Sequence, residues 1–508
     1  MSSEGLDRLS GEDAEILGLE TDAIMGHKAS ILVLDAAEDG ASLDIEKLRG
    51  RIESRLDAEP RARQCVMETP RGAGRPIWVD SADFNLAEHV VRVVGDGGDE
   101  ATLRELTAEL MAERLNHSKP MWTIHKLDLS RGQTGLILRI HHCIADGIGT
   151  LRFLDGLVWD EGREVEQAEE SGPELRATQE WTPRPAPSSR ELVISGIADR
   201  TLGVARGAVG AIRTVGDPGA LRESLGGLAR IPGALIRELR PRATAGTRFD
   251  RAIGSRREVA WLQRPIAELK AIGAAHSNGG HVTINDVLLA GIAGGIRSWL
   301  GEEAAGQQMR VKVPVSMHSR DVDPDAIGNR DSFLFVDLPL HEPDPAERLR
   351  LINAEMAERK EHHDAAALYG FFQGISHLSP LHHEVSKASM SPREFTLAAS
   401  NVPGPREQRW VLGCPVVELY SVTEPAVRHA LRVSAISLEG DLAIALCTDP
   451  EAFDGLDALA RAIDDAIGEL AATSSPPPPP QALTVGAQSW MRTPSMNATW
   501  LRILRIHG

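Results

Sequence analysis

Aromatic side chains are scarce in this chain: nine Trp, nine Phe and two Tyr make up 4% of its 508 residues. Its cores must therefore be built mainly from Leu, Ile, Val and Ala. Cysteine is rarer still. The four present, Cys65, Cys143, Cys414 and Cys447, lie far apart, which excludes both a CxxC zinc pattern and a dense disulfide framework. A reducing cytosol is the simplest expected home. No unbroken apolar run approaches the ~20 residues that span a bilayer, so any membrane contact is expected to be peripheral. The opening stretch, MSSEGLDRLSGEDAEILGLE, is acidic and lacks the basic and apolar regions of a secretory signal. Positive charge is also in deficit. Against 73 Asp and Glu stand 55 Lys and Arg, a formal net charge of −18, which argues against nucleic acid as a partner.

What is present reads as a folded protein, with 42% hydrophobic and 25% charged residues. The length exceeds one ordinary core, so two domains are expected. Residues 1–159 alternate strand-like runs (ASILVLD, GLILRI) with helical ones, among them ATLRELTAELMAERLN, which begins near Glu100. Residues 160–246 form a crossover. Eight acids fall between Asp160 and Glu180, the Pro/Ser-rich WTPRPAPSSR follows, and Arg190–Arg242 holds nine Arg against five acids. That basic stretch reads either as an amphipathic element for an anionic membrane or lipid droplet, or as connecting helices weakened by glycine. Residues 247–473 resume the alternation. Thr283 is an expected N-cap, and a hairpin is expected to turn at Glu439-Gly440-Asp441. From Ser474 a polyproline stretch leads into a basic, apolar tail, 474–508, for which disorder is expected.

Chemistry concentrates in HHCIADG, residues 141–147, at the end of the apolar run LILRI. In a strand, alternate side chains face opposite ways, so His141 and His142 cannot share a role. A neutral imidazole titrating near pH ~6.5 is suited to take a proton from a hydroxyl. Asp146 sits where the turn meets a helical run, as an ion-pair partner or as an N-cap, and Gly147 is expected to supply a backbone conformation closed to other residues. Arg330 and Arg139 are arginines that would serve Asp146 as partners. The structural alternative makes His142 a satisfied core histidine and Asp146 only a cap. Cys143 adjoins His142, but adjacent strand residues face apart, which disfavours an acyl-cysteine route.

The HHxxxDG element resembles the signature of the CoA-dependent acyltransferases related to chloramphenicol acetyltransferase and to nonribosomal condensation domains. More narrowly, the chain resembles the bacterial wax ester synthase/acyl-CoA:diacylglycerol acyltransferases, from about residue 8 to 470. KPMWTIHKLDL matches the family's Pro-Leu-Trp element through Pro120 and Trp122, with Met121 in place of Leu. TINDVLLAG carries its Asn-Asp pair as Asn285 and Asp286, Pro314–Ser316 and Gly328–Arg330 match a further stretch, and SNVPGP matches from Ser400 to Pro405. Two departures stand out: no aromatic lies near Leu17, and SMHSR inserts residues before Arg320.

The resemblance implies an α/β fold of two chloramphenicol acetyltransferase-like domains with mixed sheets and helices, joined by a long crossover. The His142 turn would lie at their interface, in a channel admitting acyl-CoA from one side and diacylglycerol or a long-chain alcohol from the other. His142 would act as general base in direct transfer, supported by His141, Asp146 and Gly147, with Asn285 near the reacting centre either as an oxyanion donor or positioning the acceptor. Asp286 reads more simply as part of a capping box, and Pro120 and Trp122 as packing residues. Ser400 and Asn401 are expected to line the channel. No metal and no resident cofactor are expected, acyl-CoA being a co-substrate. The expected location is cytoplasmic, with peripheral contact to the inner membrane face or to lipid bodies. Two other readings stand beside this one: an acyltransferase of the same superfamily acting on a polyketide-type or carrier-bound hydroxyl, and a non-catalytic lipid-body protein.

Overall fold

The computed structural model describes residues 6–70, 74–95, 97–160, 162, 181–196, 233, 247–277, 280–316, 331–362, 364, 367–368 and 394–474. Most of the basic stretch 190–242, the acidic run after Asp160, Arg330 and the tail from residue 475 lie outside these. The N-terminal half runs α1 (Gly11–Gly18), β1 (His27–Leu34), α2 (Ile45–Arg55), β2 (Gln64–Met67), β3 (Ile77–Asp80), α3 (Leu86–His89), β4 (Val90–Arg92), α4 (Glu100–Ala112), β5 (Trp122–Asp128), β6 (Thr134–His141) and α5 (Gly147–Leu157). The C-terminal half runs β7 (Glu258–Pro265), α6 (Ile266–Ala275), α7 (Ile284–Leu300), β8 (Met309–Ser316), β9 (Asp331–Leu338), α8 (Pro345–Glu361), β10 (Leu397–Val402), β11 (Trp410–Val411), β12 (Cys414–Thr423), β13 (Leu431–Leu438), β14 (Asp441–Thr448) and α9 (Leu456–Thr473).

The two halves build two mixed six-stranded sheets, ordered β11-β12-β1-β6-β5-β4 and β7-β14-β13-β10-β8-β9. β1 and β6 are buried along their whole length, as their near-continuous apolar sequences require when both faces are covered. They pair antiparallel, with Ile31 opposite Ile137 and His27 opposite His141. In the second sheet β10 runs parallel to both β13 and β8, and the outer pairs are antiparallel. The first sheet is completed by β11 and β12, which come from within the 247–473 segment; β12 pairs with β1, placing Thr423 beside Lys28.

Local chemistry sets the helix starts. α4 begins at Glu100 behind a capping box of Asp99 and Thr102, and α7 begins behind one made by Thr283 and Asp286. The β13–β14 hairpin turns at Glu439 and Gly440, as expected. α7, α8 and α9 pack together on the second sheet. From that sheet, Val259, Trp261, Ile436 and Ala445 enter a core shared with β1, β6 and β12, and Trp261 stacks on Tyr420 with ring centroids 4.5 Å apart. A seam therefore runs between the sheets, with β12 on one side and β13 on the other. Among the described residues, no helix is long and apolar enough to cross a membrane.

Candidate active site

The strand carrying the double histidine is held to its end by its neighbours, its last two amides continuing the register with β5 and β1. His141 N–H donates to Met121 O at 3.0 Å, and His142 N–H donates to Gly26 O at 2.8 Å. The chain then turns, with Ile144 N–H on His141 O, and α5 starts at Gly147. Asp146 is its N-cap: the carboxylate accepts from Gly149 N–H at 2.6 Å, a bond worth about 1 kcal/mol. Arg139 is engaged elsewhere, donating to Leu110 O, Glu113 O and Thr123 Oγ1, so it is not the partner of that carboxylate.

The expectation for Gly147 needs correction. Its φ is not among the positive ones, so backbone freedom is not the reason for glycine. A Cβ there would lie 2.6 Å from Val402 Cγ2. The glycine is needed for room, because β10 closes down on the first turn of α5.

His141 points away from the turn's open side and is fully buried. Its Nδ1 accepts from Cys143 N–H at 3.1 Å, which puts the ring proton on Nε2. That proton is donated to Glu20 Oε1 at 2.7 Å, and His117 Nε2 donates to the same oxygen at 2.8 Å, while Arg114 holds the other oxygen. Burial by itself would raise the Glu20 carboxyl, but the hydrogen bonds from His117 and His141 outweigh it and hold the group at about 2. Burial keeps the His141 ring below its ordinary value despite Glu20, so it stays neutral. Among the described residues, Glu20, His117 and His141 bring three ligand-type atoms close enough to hold a metal ion. A cation on His141 Nε2 would have to displace its only ring proton, since Nδ1 is occupied as an acceptor. The cluster is therefore a hydrogen-bonded brace on the strand end.

This brace gives stability a pH dependence. The folded-state pKa of Glu20 is depressed, so its contribution is complete above about pH 4.5 and is lost as the pH falls toward 2. Glu20→Gln is expected to destabilise the fold by about 2 kcal/mol at pH 7. The melting gap between variant and wild type should close over that acidic window; a gap independent of pH would refute the assignment.

His142 is half-buried and opens on a cavity of about 100 Å³ between the two sheets. Lys28, Ser421 and Thr423 line it from the first sheet, Pro314, Ser400, Asn401, Val402 and Arg432 from the second, with Asp146, Gly147 and Ile148 at the turn. Burial, then the positive charges of Lys28 and Arg432, press the His142 imidazole well below its ordinary pKa. The ring is thus held in its neutral form, the form that can accept a proton.

Of the residues singled out in the sequence, the structure brings His142, Asp146, Gly147, Ser400 and Asn401 together around this cavity. It does not bring Asn285, Asp286, Pro120 or Trp122 to the wall. Asp286 accepts from Thr283 N–H and Oγ1–H, both at 2.8 Å, and from Asn353 at 3.0 Å, a purely structural set. Asn285 occupies the same first turn of α7. Trp122 is fully buried, its indole N–H on Ala62 O at 2.8 Å and its ring edge-on to Phe153. Pro120 precedes Met121, whose carbonyl anchors His141. Cys143 is also off the wall; burial pushes its thiol well above the ordinary value, leaving no thiolate to attack a thioester.

Four residues of the site escaped sequence reading. Lys28 and Arg432 stand in apolar strands, where a lone buried cation was the available signal. Gly26 and Glu424 have no sequence signal: Glu424 accepts from Met25 and Gly26 N–H at 2.9 and 2.6 Å and is met by Arg257 at 3.2 Å, clamping the loop whose carbonyl holds His142.

Comparison with known proteins bears on this arrangement. Residues 9–288 match the wax ester synthase/diacylglycerol acyltransferase catalytic domain, and residues 327–471 match the WS/DGAT C-terminal domain. A probable diacylglycerol O-acyltransferase of Mycobacterium tuberculosis is 27% identical over 457 residues, 86% of this chain and 90% of that protein. A putative diacylglycerol O-acyltransferase of the same species is 30% identical over 420 residues, 80% of this chain and 84% of that protein. In fold, the chain is similar to the wax ester synthase/diacylglycerol acyltransferase from Marinobacter aquaeolei VT8, with a TM-score of 0.61, 18% identity and coverage of 92% of this chain and 100% of that one. It is similar also to the first condensation domain of the CDA synthetase, with a TM-score of 0.59, 17% identity and coverage of 93% and 98%. Both share the two-domain, chloramphenicol acetyltransferase-like architecture that the HHxxxDG element implied. With the catalytic-domain match alone spanning more than half of the 508 residues, the chain belongs to the wax ester synthase/diacylglycerol acyltransferase family.

Proposed function

We propose that the protein moves a long-chain acyl group from acyl-CoA to the hydroxyl of diacylglycerol or of a long-chain alcohol, making triacylglycerol or wax ester. The observation that carries this reading is a neutral His142 on the wall of a cavity between two sheets. His142 takes the proton of the acceptor hydroxyl as its oxygen attacks the thioester carbonyl. A C–O bond forms, the tetrahedral intermediate collapses, the C–S bond breaks, and the imidazolium returns its proton to the departing CoA sulfur. Both substrates are held at once, so no covalent enzyme intermediate is needed, and no resident cofactor enters the scheme.

The acceptors are insoluble in water, so the protein meets them at the surface of a membrane or lipid body. The arginine-rich composition of 190–242 supports that peripheral role.

Labelled palmitoyl-CoA offered with diacylglycerol, hexadecanol and a carrier-bound hydroxyl tests the reading. Labelled triacylglycerol or wax ester is the expected product. Transfer to the carrier hydroxyl alone would replace the acceptor class, and no transfer to any of them would overturn the proposal.

A further inference from the structure

Where an imidazole points depends on the backbone that carries it. The backbone of His142 is tied to the 23–26 loop by its N–H, which donates to Gly26 O at 2.8 Å. That carbonyl stays in place only if the loop does. Glu424, directly after β12, holds the loop with both carboxylate oxygens: Oε1 accepts from Gly26 N–H at 2.6 Å and Oε2 from Met25 N–H at 2.9 Å. Arg257, directly before β7, donates from Nη2 to the same Oε2 at 3.2 Å and to Ala23 O. Its Nη1 donates to Gly254 O and Arg256 O, both at 2.8 Å, so the guanidinium is itself fixed. Between them the two side chains grip Ala23, Met25 and Gly26.

The chemistry of this grip is specific. Two amide N–H groups and a guanidinium converge on one side chain, and an ionised carboxylate offers an acceptor on each oxygen together with a balancing charge. The pair is buried, with the Arg257 side chain fully so. Burial raises the Glu424 carboxyl, and the two amides and Arg257 draw it back toward the ionised form. A buried ion pair adds little net stability, since apolar residues of similar volume often serve a fold as well. What the pair supplies is direction: each hydrogen bond fixes one atom of the loop relative to β12 and β7.

We propose that Glu424, held by Arg257, is a positioning residue that fixes the Gly26 carbonyl and through it the aim of the His142 imidazole into the cavity. This rests on the acyl-transfer reading above. Both residues belong to segments that complete the site. Glu424 follows the wall residues Ser421 and Thr423, and Arg257 leads into a strand of the second sheet. The base is therefore set by the part of the chain that closes the cavity around it, and the Glu20–His141 brace bounds the same loop from its other side.

Glu424→Gln keeps the size of the side chain but replaces one acceptor oxygen with an N–H donor that faces an amide N–H. Its kcat for acyl transfer from palmitoyl-CoA is expected to fall about 10²-fold, the loss for a misplacement of about 1 Å. KM for palmitoyl-CoA should stay within about threefold, and circular dichroism should show the fold retained at the assay temperature. Made in a His142→Ala background, the same change should alter the residual rate by less than about threefold, because no imidazole remains to be aimed. Amide hydrogen exchange in the peptide containing His142 should be faster in Glu424→Gln than in wild type. Unchanged kcat, a defect confined to KM, or unchanged exchange would overturn the proposal. So would an equal fall in the His142→Ala background, which would place the action of Glu424 on the fold or on another wall residue. An inactive wild type removes the acyl-transfer reading and the proposal with it, whereas an active wild type with a fully active variant removes only the role of Glu424.

Discussion

His142→Ala is expected to lower acyl-transfer turnover by about 10³–10⁴-fold, the upper range for losing a general base. The fold should persist. The backbone N–H bond of this residue to Gly26 O is retained by alanine, and its side chain lines the cavity. Turnover of labelled palmitoyl-CoA, compared with circular dichroism and the melting midpoint of the same sample, separates the two effects. A stable variant within tenfold of wild type would refute proton transfer by His142. Loss of the fold along with the activity would instead mean that the imidazole is a packing residue.

Gly26→Ala is expected to damage both the fold and the activity. Gly26 has a φ of +74°, which costs an L-residue about 1–2 kcal/mol. The added Cβ would lie 2.2 Å from His141 Nε2 and 3.1 Å from Glu20 Cγ. His141 has nowhere to retreat, being fully buried, so its bond to Glu20 is disrupted and a further ~1–3 kcal/mol is lost. A total destabilisation of about 2–5 kcal/mol follows, with lost turnover because the same residue's carbonyl holds His142. Urea unfolding and kcat measured together check this. A variant with wild-type midpoint and wild-type kcat would show that the loop is not the brace described here.

Much of this architecture was legible because it is local. The apolar runs of β1 and β6, the Asp99 and Thr283 caps and the Glu439-Gly440 turn depend on residues within a few positions of one another. HHxxxDG was legible for the same reason: one short turn carries both the proposed base and its cap. What escaped depends on residues far apart in the chain. Lys28, Ser400 and Arg432 meet only because two sheets face each other. The role of Gly147 depends on Val402, a residue of the other half, so a purely local account assigned it backbone freedom and missed the close approach. Asn285 is a different case. Its family resemblance placed it near the reaction, whereas the capping geometry of α7 accounts for its first-turn neighbour Asp286 and leaves both off the cavity wall.

The passage of β12 into the first sheet has a consequence for how the enzyme comes into being. A ribosome delivers His142 early, but the strand that borders β1 is complete only at Thr423, and Arg432 follows later still. Until then β1 has an unpaired edge and the histidine faces no opposite wall. The nascent chain therefore carries its proposed base for most of its synthesis without a complete pocket around it, and the wall can close only after β12 and Arg432 have been made. A product truncated within the crossover would keep the whole signature and have no active site.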